Sequence, residues 1–114
     1  MNEDLSKEKC IPCSIGTPPI VGDELREMLD EIGPTWQLVE EKQIEKSFKF
    51  KDFKSALEFV NQVGEIAEEE GHHPDIELGW GRVKIKLITH KIGGLSRNDF
   101  LMAAKINKLS IGFF

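Results

Sequence analysis

The chain changes its hydrophobic period between Asp52 and Leu87, and this switch constrains the fold more than any other feature. Phe53, Ala56, Leu57, Val60, Val63, Gly64 and Ala67 recur at helical spacing. Asp52 is suited to cap that helix and Gly71 to stop it. Beyond it, Ile76, Leu78 and Trp80 alternate with Glu77 and Gly79, and Val83, Ile85 and Leu87 alternate with Lys84 and Lys86. Gly81-Arg82 between the two runs reads as a tight turn, which makes them a hairpin with a lysine-bearing solvent face. A hairpin that is apolar on one side must be covered there, and an amphipathic helix supplies the cover.

The rest of the chain repeats the theme. Leu25, Met28, Leu29 and Ile32 form one helical stripe, with Asp23 and Glu24 in its first turn and Gly33-Pro34 at its end. Trp36 to Val39 opens a short strand, Glu40 to Gln43 is a charged turn, and Ile44, Phe48 and Phe50 share one face of a second strand. Lys46 interrupts that face. Its alkyl stem can lie on apolar surface with the ammonium in water, which is expected of an edge strand. A last helix begins at a capping box, Ser96 with Asp99, inside a staple that Leu95 and Phe100 can close. Met102, Ala103, Ile106 and Leu109 give its apolar positions.

The expected class is α+β: a four-stranded antiparallel sheet with three helices packed on one face, in the order α-β-β-α-β-β-α. At 114 residues there is room for one core and not for two. Residues 1–20 read as an N-terminal arm closing in Thr17-Pro18-Pro19, and 21–114 as a single domain.

The formal net charge of -5, with lysines scattered among glutamates, argues against nucleic acid as a partner. The acidic start Met1-Asn2-Glu3-Asp4 is unlike a secretory signal, and no apolar run approaches the length of a membrane span. A cytoplasmic location without membrane attachment is expected. Cys10 and Cys13 form a lone Cys-x-x-Cys, which reads as a reduced loop, since a zinc site needs further ligands nearby.

Chemistry concentrates between Glu68 and His90, where all three histidines fall. His72 and His73 follow the carboxyl end of a helix whose last turn carries Glu68, Glu69 and Glu70. Carboxylates there oppose the helix dipole at ~0.3–1 kcal/mol each when exposed, so the run is a candidate for service at a site. A solvated acidic face, with imidazoles capping the helix carbonyls, explains the same residues without any function. His90 ends a strand on the face opposite Val83, Ile85, Leu87 and Thr89, beside the permissive loop Gly93-Gly94. The three histidines could converge on a metal, but metal-free acid–base chemistry with no cofactor is expected ahead of that. No nucleophile elbow, phosphate loop or dinucleotide fingerprint is present.

Taken together, the spacing Glu68-x₃-His72-His73-Pro74-x₅-Trp80-x₉-His90-x₈-Asp99 resembles the signature of the pterin-4a-carbinolamine dehydratases. The flanks Thr89-His90-Lys91, Gly94-Leu95-Ser96, Asn98-Asp99-Phe100 and Ala103-Ala104-Lys105-Ile106 match too. So do Lys9-Cys10-Ile11-Pro12-Cys13 and Pro18-Pro19, which are similar to the arm of many bacterial members. Asn98 departs from animal members, which often carry arginine beside the aspartate.

The resemblance implies dehydration of a 4a-hydroxytetrahydropterin to quinonoid dihydropterin, recycling the pterin used by an aromatic amino acid hydroxylase. It implies catalysis by His72, His73 and His90, with Glu68, Pro74, Trp80 and Asp99 toward the substrate. His72 and His90 are expected to share the proton transfers, His73 to bind and orient the pterin, and Glu68 to set the charge of His72. Imidazole suits this, because its ordinary pKa is about 6.5. Asp99 is also committed to its capping box, and Trp80 is expected to be core. A homodimer or homotetramer is implied. The alternative is a non-catalytic interaction module of the same fold, as in animal members that act as dimerisation cofactors of a transcription factor.

Overall fold

The computed structural model describes residues 5–11 and 16–113. Helix α1 spans Gly22–Ile32, α2 Phe53–Glu70 and α3 Arg97–Ile111; strands β1 to β4 span Gln37–Val39, Gln43–Lys49, Asp75–Gly79 and Arg82–Leu87. All strand pairs are antiparallel, in the spatial order β1-β2-β4-β3. This is the expected α+β architecture. Ile44, Phe48, Val83, Ile85 and Leu87 lie on the buried face of the two central strands, under Phe59 and Val63 of α2. The other face carries charge, with Lys84 paired to Glu45 and Lys86 to Glu77.

Two local expectations need correction. Strand β2 is central rather than at an edge, so Lys46 faces Ile85 within the sheet. Its ammonium does not reach out to water alone: it donates to Asn107 of α3 at 3.1 Å and lies 4.8 Å from the Phe48 ring centroid. Burial pushes its pKa below the ordinary lysine value. The hairpin turn is Trp80-Gly81, one residue earlier than expected, because Gly79 pairs with Arg82. Trp80 therefore ends outside the sheet and is 70% exposed, not core. Gly81 has its own reason to be glycine: a Cβ there would sit 2.8 Å from the carbonyl oxygen of Phe50.

The helical stripe of α2 is also rotated from the one read off the sequence. Phe59, fully buried, is its largest core residue and meets the Phe48 and Phe50 rings at a tilt, while Phe53 and Leu57 stay partly exposed. Helix α1 packs on α3, and α3 is held to the first strand by the Trp36 indole, which donates to Asn107 at 2.9 Å. The arm is tied down as well. Leu5 is buried in the core, and Lys105 of α3 donates to the carbonyl of Ser6 at 2.8 Å. Cys13 lies outside the described residues. Among the described residues no helix is long and apolar enough to cross a membrane.

Candidate active site

The site forms where the carboxyl end of α2 meets the amino end of α3. Gly71 stops α2 in the left-handed conformation (φ 66°), its N–H closing on Ala67, and the chain then turns sharply so that His72 and His73 leave the helix in succession. On the other side, Ser96 caps α3, and Asp99 in its first turn accepts the Ser96 backbone N–H at 2.9 Å. The expected capping box is present.

Asp99 does more than cap. It is fully buried, and its two carboxylate oxygens divide their partners. Oδ2 takes the Ser96 N–H and the Thr89 hydroxyl at 2.8 Å, while Oδ1 lies 2.6 Å from Nε2 of His72. An ionised carboxylate only accepts, so the His72 nitrogen facing it carries a proton. Neutral His72 is thereby held as the Nε2–H tautomer, with the Nδ1 lone pair left for chemistry. Thr89 is fixed in turn by Ser96, hydroxyl to hydroxyl at 2.7 Å.

His73 has a separate partner. Its Nε2 lies 2.5 Å from Glu68 Oε2, and both side chains are exposed. Glu68 therefore pairs with His73 rather than with His72, whose partner is Asp99. His90 stands apart from the strand that was expected to carry it: β4 ends at Leu87, Thr89 bridges to Gly94, and His90 opens a single 3-10 turn. The turn closes through Gly93 in the left-handed conformation, and it leaves His90 exposed.

These elements surround an open cavity of about 300 Å³. The three histidines line it, with Gly71, Glu70, Ile88, Thr89, Lys91, Asn98 and Ile11. Of the residues expected at the substrate, Asp99 lies behind His72 and Glu68 contacts His73, while Pro74 and Trp80 are outside the lining. Sequence reasoning reached Glu70 only as part of the glutamate run and Ile11 only as part of the arm, and it missed Ile88, which carried no signal. Glu70 Oε1 accepts the Cys10 N–H at 2.8 Å. Cys10, half-buried beside Glu70, has its thiol pushed up to about 12, first by desolvation and then by that carboxylate. Among the described residues, no three histidine, cysteine or carboxylate side chains group as a metal site would require.

Residues 18–109 match the family model described as Pterin 4 alpha carbinolamine dehydratase. A protein of Alkaliphilus metalliredigens named "Putative pterin-4-alpha-carbinolamine dehydratase" is 50% identical over 92% of this chain and 95% of its own length. One of the same name from Rubrobacter xylanophilus is 48% identical over 93% and 98%. The crystal structure of a transcriptional coactivator/pterin dehydratase from Brucella melitensis superposes with a TM-score of 0.75 at 36% identity, covering 80% of this chain and 97% of that one. A pterin dehydratase-like RuBisCO assembly factor of the alpha-carboxysome shares the fold, with a TM-score of 0.58 at 22% identity over 69% and 93%. With the match running from the arm's last prolines into the last turn of α3, and the histidines gathered at one cavity, the chain belongs to the pterin 4 alpha carbinolamine dehydratase family.

Proposed function

We propose that the chain dehydrates 4a-hydroxytetrahydropterin to quinonoid dihydropterin by proton transfer among its histidines. The observation that carries this is His72, fixed by a buried carboxylate at the wall of a cavity it shares with His73 and His90. In the reaction the N5–H proton leaves to a base, the C4a–O bond breaks, and the departing hydroxyl takes a proton from an acid and goes as water. The N5 electron pair closes the new double bond to C4a, so nothing is oxidised or reduced.

His72 is the base. Its Nδ1 takes the N5 proton, and the Asp99 carboxylate faces the positive charge the ring acquires. His90 is the acid for the hydroxyl, and proton exchange with solvent, to which it is open, restores the pair. His73, oriented by Glu68, binds the pterin edge. The reaction would recycle the pterin of an aromatic amino acid hydroxylase in the cytoplasm, and the chain would work as a homodimer or homotetramer.

A second reading is a protein-interaction module that has kept the fold without the chemistry. It draws on the Brucella relative, which is described as a transcriptional coactivator as well as a pterin dehydratase. One measurement separates them: the rate at which the carbinolamine's absorbance decays with and without the protein. Acceleration over buffer, reduced at least ~10-fold in a folded His72→Ala variant, is the outcome expected of a proton-transfer residue. A wild-type rate equal to buffer leaves the interaction module standing and removes the enzyme.

A further inference from the structure

The N-terminal arm has no role in the chemistry described above, yet it reaches the cavity. Ile11 and Asn98 line the histidine cavity, of about 300 Å³, and also a neighbouring one of about 330 Å³. Residue 11 is thus part of the partition between them.

Its backbone is held with unusual completeness. Asn98, 7% exposed at the start of α3, accepts the Ile11 N–H on Oδ1 at 3.0 Å and donates from Nδ2 to the Ile11 carbonyl at 2.5 Å. The preceding N–H, of Cys10, goes to Glu70 at the end of α2. Upstream, Arg97 grips both oxygens of Glu8 at 2.6 and 2.7 Å. Ile11 as a residue, in contrast, is 74% exposed. A buried amide is spent on fixing an apolar side chain in the open at the mouth of a cavity. Ile88 is the one other aliphatic residue among the described lining residues. A pterin has a polar edge and apolar ring faces, so a pocket of imidazoles alone would satisfy only the edge.

We propose that the arm is a wall of the pterin pocket: Ile11 is the surface on which a face of the bound ring packs, and Asn98 is the positioning residue that holds it there. This rests on the pterin reading of the site.

The test uses the full chain, with two readouts: carbinolamine turnover, and calorimetric binding of dihydrobiopterin. Ile11→Ala leaves every backbone clamp in place, and it is expected to raise KM and the dihydrobiopterin Kd about fivefold, equivalent to ~1 kcal/mol of lost apolar contact. The loss should fall on KM rather than on kcat. Asn98→Ala should do at least as much and also speed hydrogen exchange at the Ile11 amide. A purely structural tether would move the exchange rates and leave KM and Kd alone, and unchanged binding in Ile11→Ala overturns the wall. If the wild type binds dihydrobiopterin but does not accelerate dehydration, the catalytic reading fails while the binding arm still decides this one. If it does neither, both fall.

Discussion

Replacing Asp99 by asparagine tests the site most directly, because the substitution keeps the shape and removes the ability to accept on both oxygens. Oδ2 takes two protons, from Ser96 N–H and the Thr89 hydroxyl, and Oδ1 faces the His72 nitrogen. Asparagine has one oxygen and one NH₂ to distribute. With its NH₂ toward Ser96, two donors meet in a fully buried place, at a cost of ~1–3 kcal/mol. With its oxygen there, the cap survives and the NH₂ points at His72 Nε2, which must then accept. The ring turns to the Nδ1–H tautomer and loses the lone pair assigned to the N5 proton. The second arrangement costs less, so Asp99→Asn is expected to stay folded, losing about 1 kcal/mol through exchange of a charge-assisted bond for a neutral one. Turnover should drop by roughly 10²–10⁴, the usual worth of one positioned base. Urea denaturation reads the first quantity and carbinolamine decay the second. In a His72→Ala background the same change should cost little further activity, since Asp99 acts through the ring. A folded Asp99→Asn with near-wild-type turnover, or a full additional loss in the His72→Ala background, would refute the reasoning.

Other parts of the molecule make separate predictions. Gly71→Ala places a side chain at φ 66° where no atom lies within 4 Å, so its cost is conformational: ~1–2 kcal/mol of left-handed strain less ~0.4–1 from a stiffer unfolded chain, a net loss near 1 kcal/mol by urea denaturation. The Asp52 carboxylate is held below its ordinary value of 3.8 by the Ser55 backbone N–H and side chain at the start of α2. Its stabilisation is therefore complete above that pH and lost as pH falls through the lower folded value. The Tm gap between wild type and Asp52→Ala should be constant at neutral pH and narrow as the pH falls below the ordinary carboxylate value, and a gap that does not change with acidification contradicts the charged cap. Cys10, with its thiol at about 12 against an ordinary 9.0, should alkylate at pH 8 far more slowly than free cysteine and recover only in denaturant. Peptide mass spectrometry separates it from Cys13, and a native rate like that of free cysteine would show the arm to be undocked.

The helices and strands were legible because each announces itself within a few neighbours. The alternation at Val83, Ile85 and Leu87 and the capping box of Ser96 and Asp99 are local signals, and both appear where they were read. What a local signal does not carry is the partner across space. Lys46 reads as an edge residue from its own strand, and only the return of β4 beside β2 encloses it, with Asn107 arriving from α3. Trp80 continues the alternation of Ile76 and Leu78, but the close approach of Phe50 to Gly81 sets the turn one residue earlier and puts the indole outside. The site divides in the same way. The histidines could be named from their spacing, whereas the expectation that Glu68 sets the charge of His72 does not match the contacts. The left-handed Gly71 turns the chain so that His73 meets Glu68 and His72 meets a residue 27 positions away.

The two readings of Asp99, as helix cap and as pocket organiser, turn out not to compete. A carboxylate whose only duty was the cap would be satisfied by solvent on its second oxygen, as Asp52 is free to be at the exposed start of α2. Asp99 instead is fully buried in the first turn of α3, so its second oxygen must find a donor within the protein. His72 is that donor. The same burial that makes an unpaired Oδ1 costly thus fixes the histidine's tautomer, and the helix cannot be capped in this position without also setting the ring. Stability and chemistry depend here on one side chain through different atoms. Substitutions at residue 99 should accordingly separate into those that spare Oδ2, which keep the helix and lose the reaction, and those that spare neither, which lose both.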